Sequence, residues 1–235
     1  MKYNVIVIKN IWDSMANPIT QNMLHPLLSV KKSGYESRHT ADMIPLGLED
    51  FFGEHVMICK KIDSINRPVC IFKVITSTDV ERYSMLHPFI QTLEKSAEKE
   101  YIQRVQKHID QLHKTGHITS YSGGFTLDRE ILEINETEVI KEIYCALHTL
   151  LHESRNIHTM YGFSVPRLKT DKLFEKWGIE KLDLGDGIKK FNLKGYGDVE
   201  SVPMHAEVSK LSFYSKQMAK KYRPLWEARL DTSRE

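Results

Sequence analysis

Apolar positions recur along this chain in two rhythms, one helical and one strand-like. From Glu138 the residues Val139, Ile140, Ile143, Ala146, Leu147, Leu150 and Leu151 fall at steps of three and four, one stripe of an α-helix. Glu136, Glu138, Lys141 and Glu142 fall largely on the other face. Asn135 or Thr137 can cap the start, the acidic first turn suits the positive end of the helix dipole, and Arg155 stands at the far end. His158–Val165 (HTMYGFSV) is rich in aromatic and β-branched residues and stops at Pro166, which predicts a buried strand. A helix over Thr170–Lys176 follows, with Thr170 or Asp171 as cap and Gly178 as terminator.

The rest of the chain continues the alternation. Tyr3–Ile8 is a β-branched strand, and Ile11–Val30 has near-helical spacing that Pro18 and Pro26 divide into two short helices. Lys31–Phe52, with Gly34, Pro45 and Gly47, reads as an irregular arm. His55–Cys59 and Val69–Thr76 are strands of a hairpin, joined by a turn around Asp63, Ser64, Asn66 and Pro68. Ser84–His117 carries an apolar stripe long enough for two helices, or for one from Pro88 to Gly116. Ile118–Leu127 is a strand interrupted by Gly123 and Gly124, the mark of a bulge or of a ligand approaching backbone. Strands around Ile188–Leu193 and Ser201–Val208 and a helix over Glu207–Leu230 complete an α/β order.

Composition narrows the class. A chain of 235 residues, 41% hydrophobic and 27% charged, can bury a substantial core and is read as one domain. A net charge of +2 without a basic block gives no call for nucleic acid or an anionic membrane. The 11 histidines are scattered, which argues against a metal cluster, so no metal is expected. Cys59, Cys70 and Cys145 lie in apolar runs without CxxC spacing, as buried thiols in a reducing compartment do. The first apolar run ends at Ile8, short of a membrane span, so the expected location is cytoplasmic.

The segment KLFEKWGIEKLDLG, Lys172 to Gly185, resembles the aromatic-Glu-Lys-x-Gly-hydrophobic ending that follows the fifth strand of the GNAT acyltransferase superfamily. Gly195, Tyr196 and Gly197 before Val202, Pro203 and Met204 resemble a segment of one branch, that of the N-acyl amino acid synthases and acyl-homoserine-lactone autoinducer synthases. The resemblance spans about residues 35–212. It implies a GNAT-like α/β fold with a mixed, mostly antiparallel central sheet flanked by helices. It implies a single domain over 1–235, an N-terminal arm over about 10–53 and a C-terminal helix over about 207–230. Strands Ile118–Leu127 and His158–Val165 should then be parallel neighbours that splay around Gly123 and Gly124 to admit a thioester arm.

The same resemblance organises the candidate chemistry. Acetyl-CoA enzymes of the superfamily hold pyrophosphate on a Gln/Arg-x-x-Gly-x-Gly/Ala loop at a helix start. Here FTLDREILEINETEVI stands there, acidic and repelling a pyrophosphate. The branch resembled lacks that loop too, and takes its acyl group from an acyl carrier protein or long-chain acyl-CoA thioester. The implied co-substrate is that thioester, with an acyl carrier protein as candidate partner and a small amine as acceptor. LEDFFGEHVMI offers Glu49, Asp50 and Glu54 before His55, with Arg38 upstream in the arm, to hold an amino-acid-like acceptor; the other reading is a solvated acidic loop. Lys73 stands where the branch has an Arg, or is an edge residue pointing to water. Glu54 and Glu130 are the candidate catalytic carboxylates, although Asp128, Arg129 and Glu130 come several residues late for the family's Glu. His158 and Tyr161 can face the cleft, Tyr161 as a substrate contact, or lie in the core as aromatic strand residues more often do, and Gly123, Gly124, Phe125 and Phe163 would line the acyl-thioester cleft. Phe174 occupies the place of a proton-donating Tyr and cannot donate. Two functions remain: acyl transfer to an amine, or a catalytically degenerate GNAT-like binding or regulatory module.

Overall fold

The computed structural model describes residues 2–36, 46–194 and 199–232. In chain order these form β1 (Tyr3–Lys9), α1 (Pro18–Glu36), α2 (Leu48–Phe52), β2 (Glu54–Ile62), β3 (Ile65–Thr76), α3 (Ser77–Arg82), α4 (Pro88–Glu94), α5 (Lys99–Lys114) and β4 (Thr119–Leu127). There follow α6 (Ile134–Ser154), β5 (Thr159–Ser164), α7 (Thr170–Trp177), β6 (Glu180–Lys181), β7 (Phe191–Leu193), β8 (Val199–Glu207), α8 (Phe213–Glu227) and β9 (Leu230–Asp231). The strands make a mixed, mostly antiparallel sheet flanked by helices, as the resemblance implied. The chain divides into two compact units, Met1–Val74 with Gly123–Leu150 and Gln217–Glu235, and Ile75–Ser122 with Leu151–Lys216.

In the first unit the strand order is β9-β1-β2-β3-β4. Ile6 and Ile8 of β1, Met57 of β2 and Ile71 of β3 pack with Met23, Leu27 and Val30 of α1. That contact explains why α1 is one helix where two were expected. Pro26 inside it costs about 3 kcal/mol through its missing N–H and ring clash. Each large apolar side chain buried on the same face returns roughly 1.5–3 kcal/mol, so three of them outweigh the proline. The helix also runs on to Glu36, into the stretch read as an irregular arm. At Gly34 a Cβ would stand 1.9 Å from Thr126 Cγ2, so only glycine allows α1 to meet β4 there.

The hairpin turn is tighter than its polar residues implied. Asp63 and Ser64 alone form it, with φ of 48° and 67°, the left-handed pair a two-residue type I′ turn requires. Asn66 and Pro68 lie within β3 instead, and Pro68 sits opposite Cys59, where the register shifts. A proline without an N–H is tolerated at such an irregularity. Helix α6 begins at Ile134, earlier than its apolar stripe suggested. Its Glu136 is buried and does not face solvent: it accepts from Glu133 N, Tyr3 Oη and Lys60 Nζ, each at 2.9 Å. The expected caps Asn135 and Thr137 therefore lie inside the helix.

In the second unit the order is β4-β5-β8-β6, with β7 also on β8. β4 and β5 are parallel neighbours, as expected, and their register runs from Thr119↔Thr159 to Tyr121↔Tyr161. Both strands continue past that last pair, β4 to Leu127 and β5 to Ser164. The polar stretch before β4 makes two helices, α4 and α5. The short α3 was not foreseen, although Thr76 and Asp79 form its reciprocal capping box. Trp177 is buried, and its carbonyl accepts from Ser212 N and Ser215 Oγ. Gly178 ends α7 with φ +85°, and a Cβ there would lie 2.5 Å from Ser212 N. Lys169 precedes that helix in a left-handed conformation, while the expected cap Thr170 accepts from Val165 N instead. The terminal helix α8 is shorter than expected, and β9, unforeseen, pairs in parallel with β1.

Candidate functional site

Five polar side chains of the first unit meet in a buried cluster. The five-residue helix α2 presents Glu49 and Asp50, α1 brings Lys31, β2 brings His55 and β3 brings Lys73, and all five are buried. Lys31 Nζ donates to Asp50 Oδ1 at 2.5 Å. Lys73 Nζ lies 3.0 Å from Glu49 Oε1 and 2.8 Å from Asp50 Oδ2. Gly47 N donates to Asp50 Oδ2 at 2.9 Å, and His55 Nε2–H donates to the Asp50 carbonyl at 2.6 Å. Two ammonium groups thus face two carboxylates, with a net charge of zero.

The environment sets each group's protonation. Burial pushes the Asp50 pKa up, but Lys73 and Lys31 beside it hold it well below the usual carboxylate range. Lys31 is lowered to about 8, by burial first and then by the Lys73 charge. His55 is lowered to about 4, chiefly by burial, so near neutral pH it is an uncharged donor that fixes Asp50.

This arrangement overturns two of the sequence alternatives. The acidic run is no solvated loop, since Glu49 and Asp50 are sealed, and Lys73 is no edge residue pointing to water. Glu54 is buried as well, but the alternation of β2 sends it to the opposite face from His55. Arg38 lies outside the described residues, as do Gly195, Tyr196 and Gly197. Gly124 has φ +68°, and a Cβ on it would stand 3.7 Å from Lys73 Cγ, so the lysine stem runs beside this left-handed turn. Phe125 stacks on Tyr144 of α6 at 4.3 Å. Half-buried Gly123 precedes them in β4. Glu130 is exposed in the turn after β4, its N–H donating to Asp128 Oδ1.

The remaining candidates belong to the second unit. Tyr161 of β5 is 1% exposed and packs 5.1 Å from Phe89 of α4, which stacks in turn on Phe163 at 4.8 Å. His87, immediately before α4, meets the Tyr161 ring edge to face at 6.2 Å. Gly162 follows Tyr161 where a Cβ would lie 2.8 Å from the Ser122 carbonyl oxygen. Sequence reasoning missed Lys31 and His87. Lys31 left a signal, since it continues the Met23, Leu27 spacing of the buried helix face; His87 left none.

No protein-family model matches the chain, and no curated protein does. Solved structures do. The chain is similar to FeeM, an N-acyl amino acid synthase from uncultured soil microbes, at 9% identity and a TM-score of 0.54, over 80% of this chain and 92% of that one. It is similar to MesI, a CoA-dependent acyl-homoserine lactone synthase, at 10% identity and a TM-score of 0.51, over 94% of this chain and 95% of that one. The fold is that of the GNAT acyltransferases.

Proposed function

We propose that the protein is an N-acyltransferase that moves an acyl group from a thioester, long-chain acyl-CoA or acyl carrier protein, to the amine of an amino-acid-like small molecule. The observation that carries this reading is the parallel β4–β5 ladder, whose register ends at Tyr121↔Tyr161 while both strands run on. In the fold concerned, the thioester arm enters where these two strands part. Gly123, Gly124, Phe125 and Phe163 are assigned to that role, and Tyr161 to a substrate contact. The reaction needs the amine to attack the thioester carbonyl carbon, the C–S bond to break, and the thiolate to take up a proton. Glu54 or Glu130 would accept the proton that the amine loses. Arg38, Asp50, His55 and Lys73 are assigned to the acceptor: an amino acid is a zwitterion, and a cluster of alternating charges complements both its ends.

A second reading, a binding or regulatory module without catalysis, is favoured by the exposure of Glu130 and by Phe174, which carries no hydroxyl. Steady-state thiol release from octanoyl-CoA and from octanoyl acyl carrier protein, with a panel of amino acids, separates the two. Amine-dependent release is expected. Removing the proton acceptor assigned to Glu54, Glu54→Gln should lower catalytic efficiency by about a hundred- to ten-thousand-fold, the usual contribution of a general base. Absence of release with every donor and amine would establish the binding module.

A further inference from the structure

Among the described residues, His87 Nδ1, His87 Nε2 and Tyr161 Oη are buried polar atoms without a hydrogen-bond partner. The two side chains that carry them meet edge to face, and are 5% and 1% exposed. A buried donor left unpaired is destabilising, so the Tyr161 hydroxyl and the protonated nitrogen of His87 call for a guest that accepts from them.

The surroundings define what that guest is. Burial alone raises the Tyr161 phenol, which stays protonated and donates. Burial, and secondarily His113, lowers His87 to about 3, leaving an uncharged imidazole with one donor and one acceptor nitrogen. Among the described residues, the titratable neighbours of the pair are histidines: His113 beside His87, and His108, whose ring meets Tyr161 at 6.3 Å. With imidazoles as those neighbours in place of an ammonium, a guanidinium or a carboxylate, the complementary ligand is neutral and polar. Phe89 lies against Tyr161 and stacks on Phe163, which shares the Tyr161 face of β5 two residues on. An apolar extension of the guest therefore has an aromatic wall to follow.

We propose that His87 and Tyr161 form a binding site for the carbonyl group of a neutral acyl chain, with Phe89 and Phe163 packing its alkyl part. This assignment rests on the acyl-donor function proposed above and adds His87 to it. Calorimetric titration without an amine, using octanoyl-CoA and its thioether analogue S-octyl-CoA, tests it. One donated hydrogen bond gained or lost corresponds to roughly tenfold in affinity. The wild type should prefer the thioester by about tenfold or more, and the preference should fall towards one in Tyr161→Phe and in His87→Leu. Tyr161→Phe keeps the ring, so it remains informative if His87→Leu fails to fold. A preference that persists in Tyr161→Phe while thiol release also persists overturns this site, the guest then being water only, and leaves the acyltransferase standing. If the wild type binds neither ligand and releases no thiol from octanoyl acyl carrier protein either, the acyl-donor function falls and the site with it.

Discussion

The Lys31–Glu49–Asp50–Lys73 cluster of the first unit and the His87–Tyr161 pair of the second are both sealed from water, yet one is fully paired and the other is not. The difference follows from charge. An isolated buried ion costs far more than a domain's whole stability, so charged groups must find partners for the chain to fold at all. An unpaired neutral group costs about 1–3 kcal/mol, which a folded protein can carry until a ligand arrives. A ligand at the first region must therefore exchange places with ion pairs that already exist, whereas a ligand at the second completes what the fold leaves unpaired.

The sharpest way to break this contrast is Asp50→Ala, which leaves Lys31 and Lys73 buried without their shared carboxylate. A loss of about 3–5 kcal/mol in denaturant unfolding is expected, and a loss below about 1 kcal/mol, the range of exposed pairs, would show that the cluster is open to water. Trp177→Ala supplies an apolar reference: it should cost roughly 3–5 kcal/mol as a buried aromatic, and an unchanged melting temperature would contradict its burial.

Acid acts on both regions alike. His55 and His87 have folded values of about 4 and about 3, against 6.5 for the free side chain. Below pH 6.5 the unfolded chain binds protons that the folded chain refuses, so stability should fall as pH drops from 6.5 towards 4. Each histidine contributes about 1.4 kcal/mol per pH unit in that window, and nothing above it. Denaturant midpoints at pH 7, 6 and 5 measure the slope, which His87→Leu should reduce. The smallest effect belongs to Tyr161→Phe without ligand: removing an unpaired hydroxyl should leave stability unchanged or raise it by about 1 kcal/mol. A loss of 2 kcal/mol or more would mean that the hydroxyl already has a partner.

What could be foreseen was what local chemistry encodes. Gly178 closing α7, the continuous apolar runs of β2 and β3 and the long stripe of α6 are each written within a few residues. Pro26 misled because its local cost is outweighed by contacts with β1 and β2, distant in sequence. Glu136 read as surface because its neighbours are acidic, while its partners Tyr3 and Lys60 come from far along the chain. β9 has two residues and exists only through β1. At the candidate site, Asp50, His55 and Lys73 were legible as polar residues beside apolar runs, and the structure brings them together. Their pairing with Lys31 was not, because a lysine on a buried stripe looks like an interruption of the core until its carboxylate is placed. His87 was invisible, since its meaning lies in what it fails to contact.

Acyl transfer to an amine is followed at the acyl carbon itself. Octanoyl-CoA labelled with carbon-13 at the carbonyl would be incubated with the protein and a mixture of amino acids, and the products resolved by mass spectrometry. Labelled N-octanoyl amide should form in equal amount to free thiol. Label that remains wholly in thioester and free octanoate, with every amine and with either carrier as donor, would contradict it.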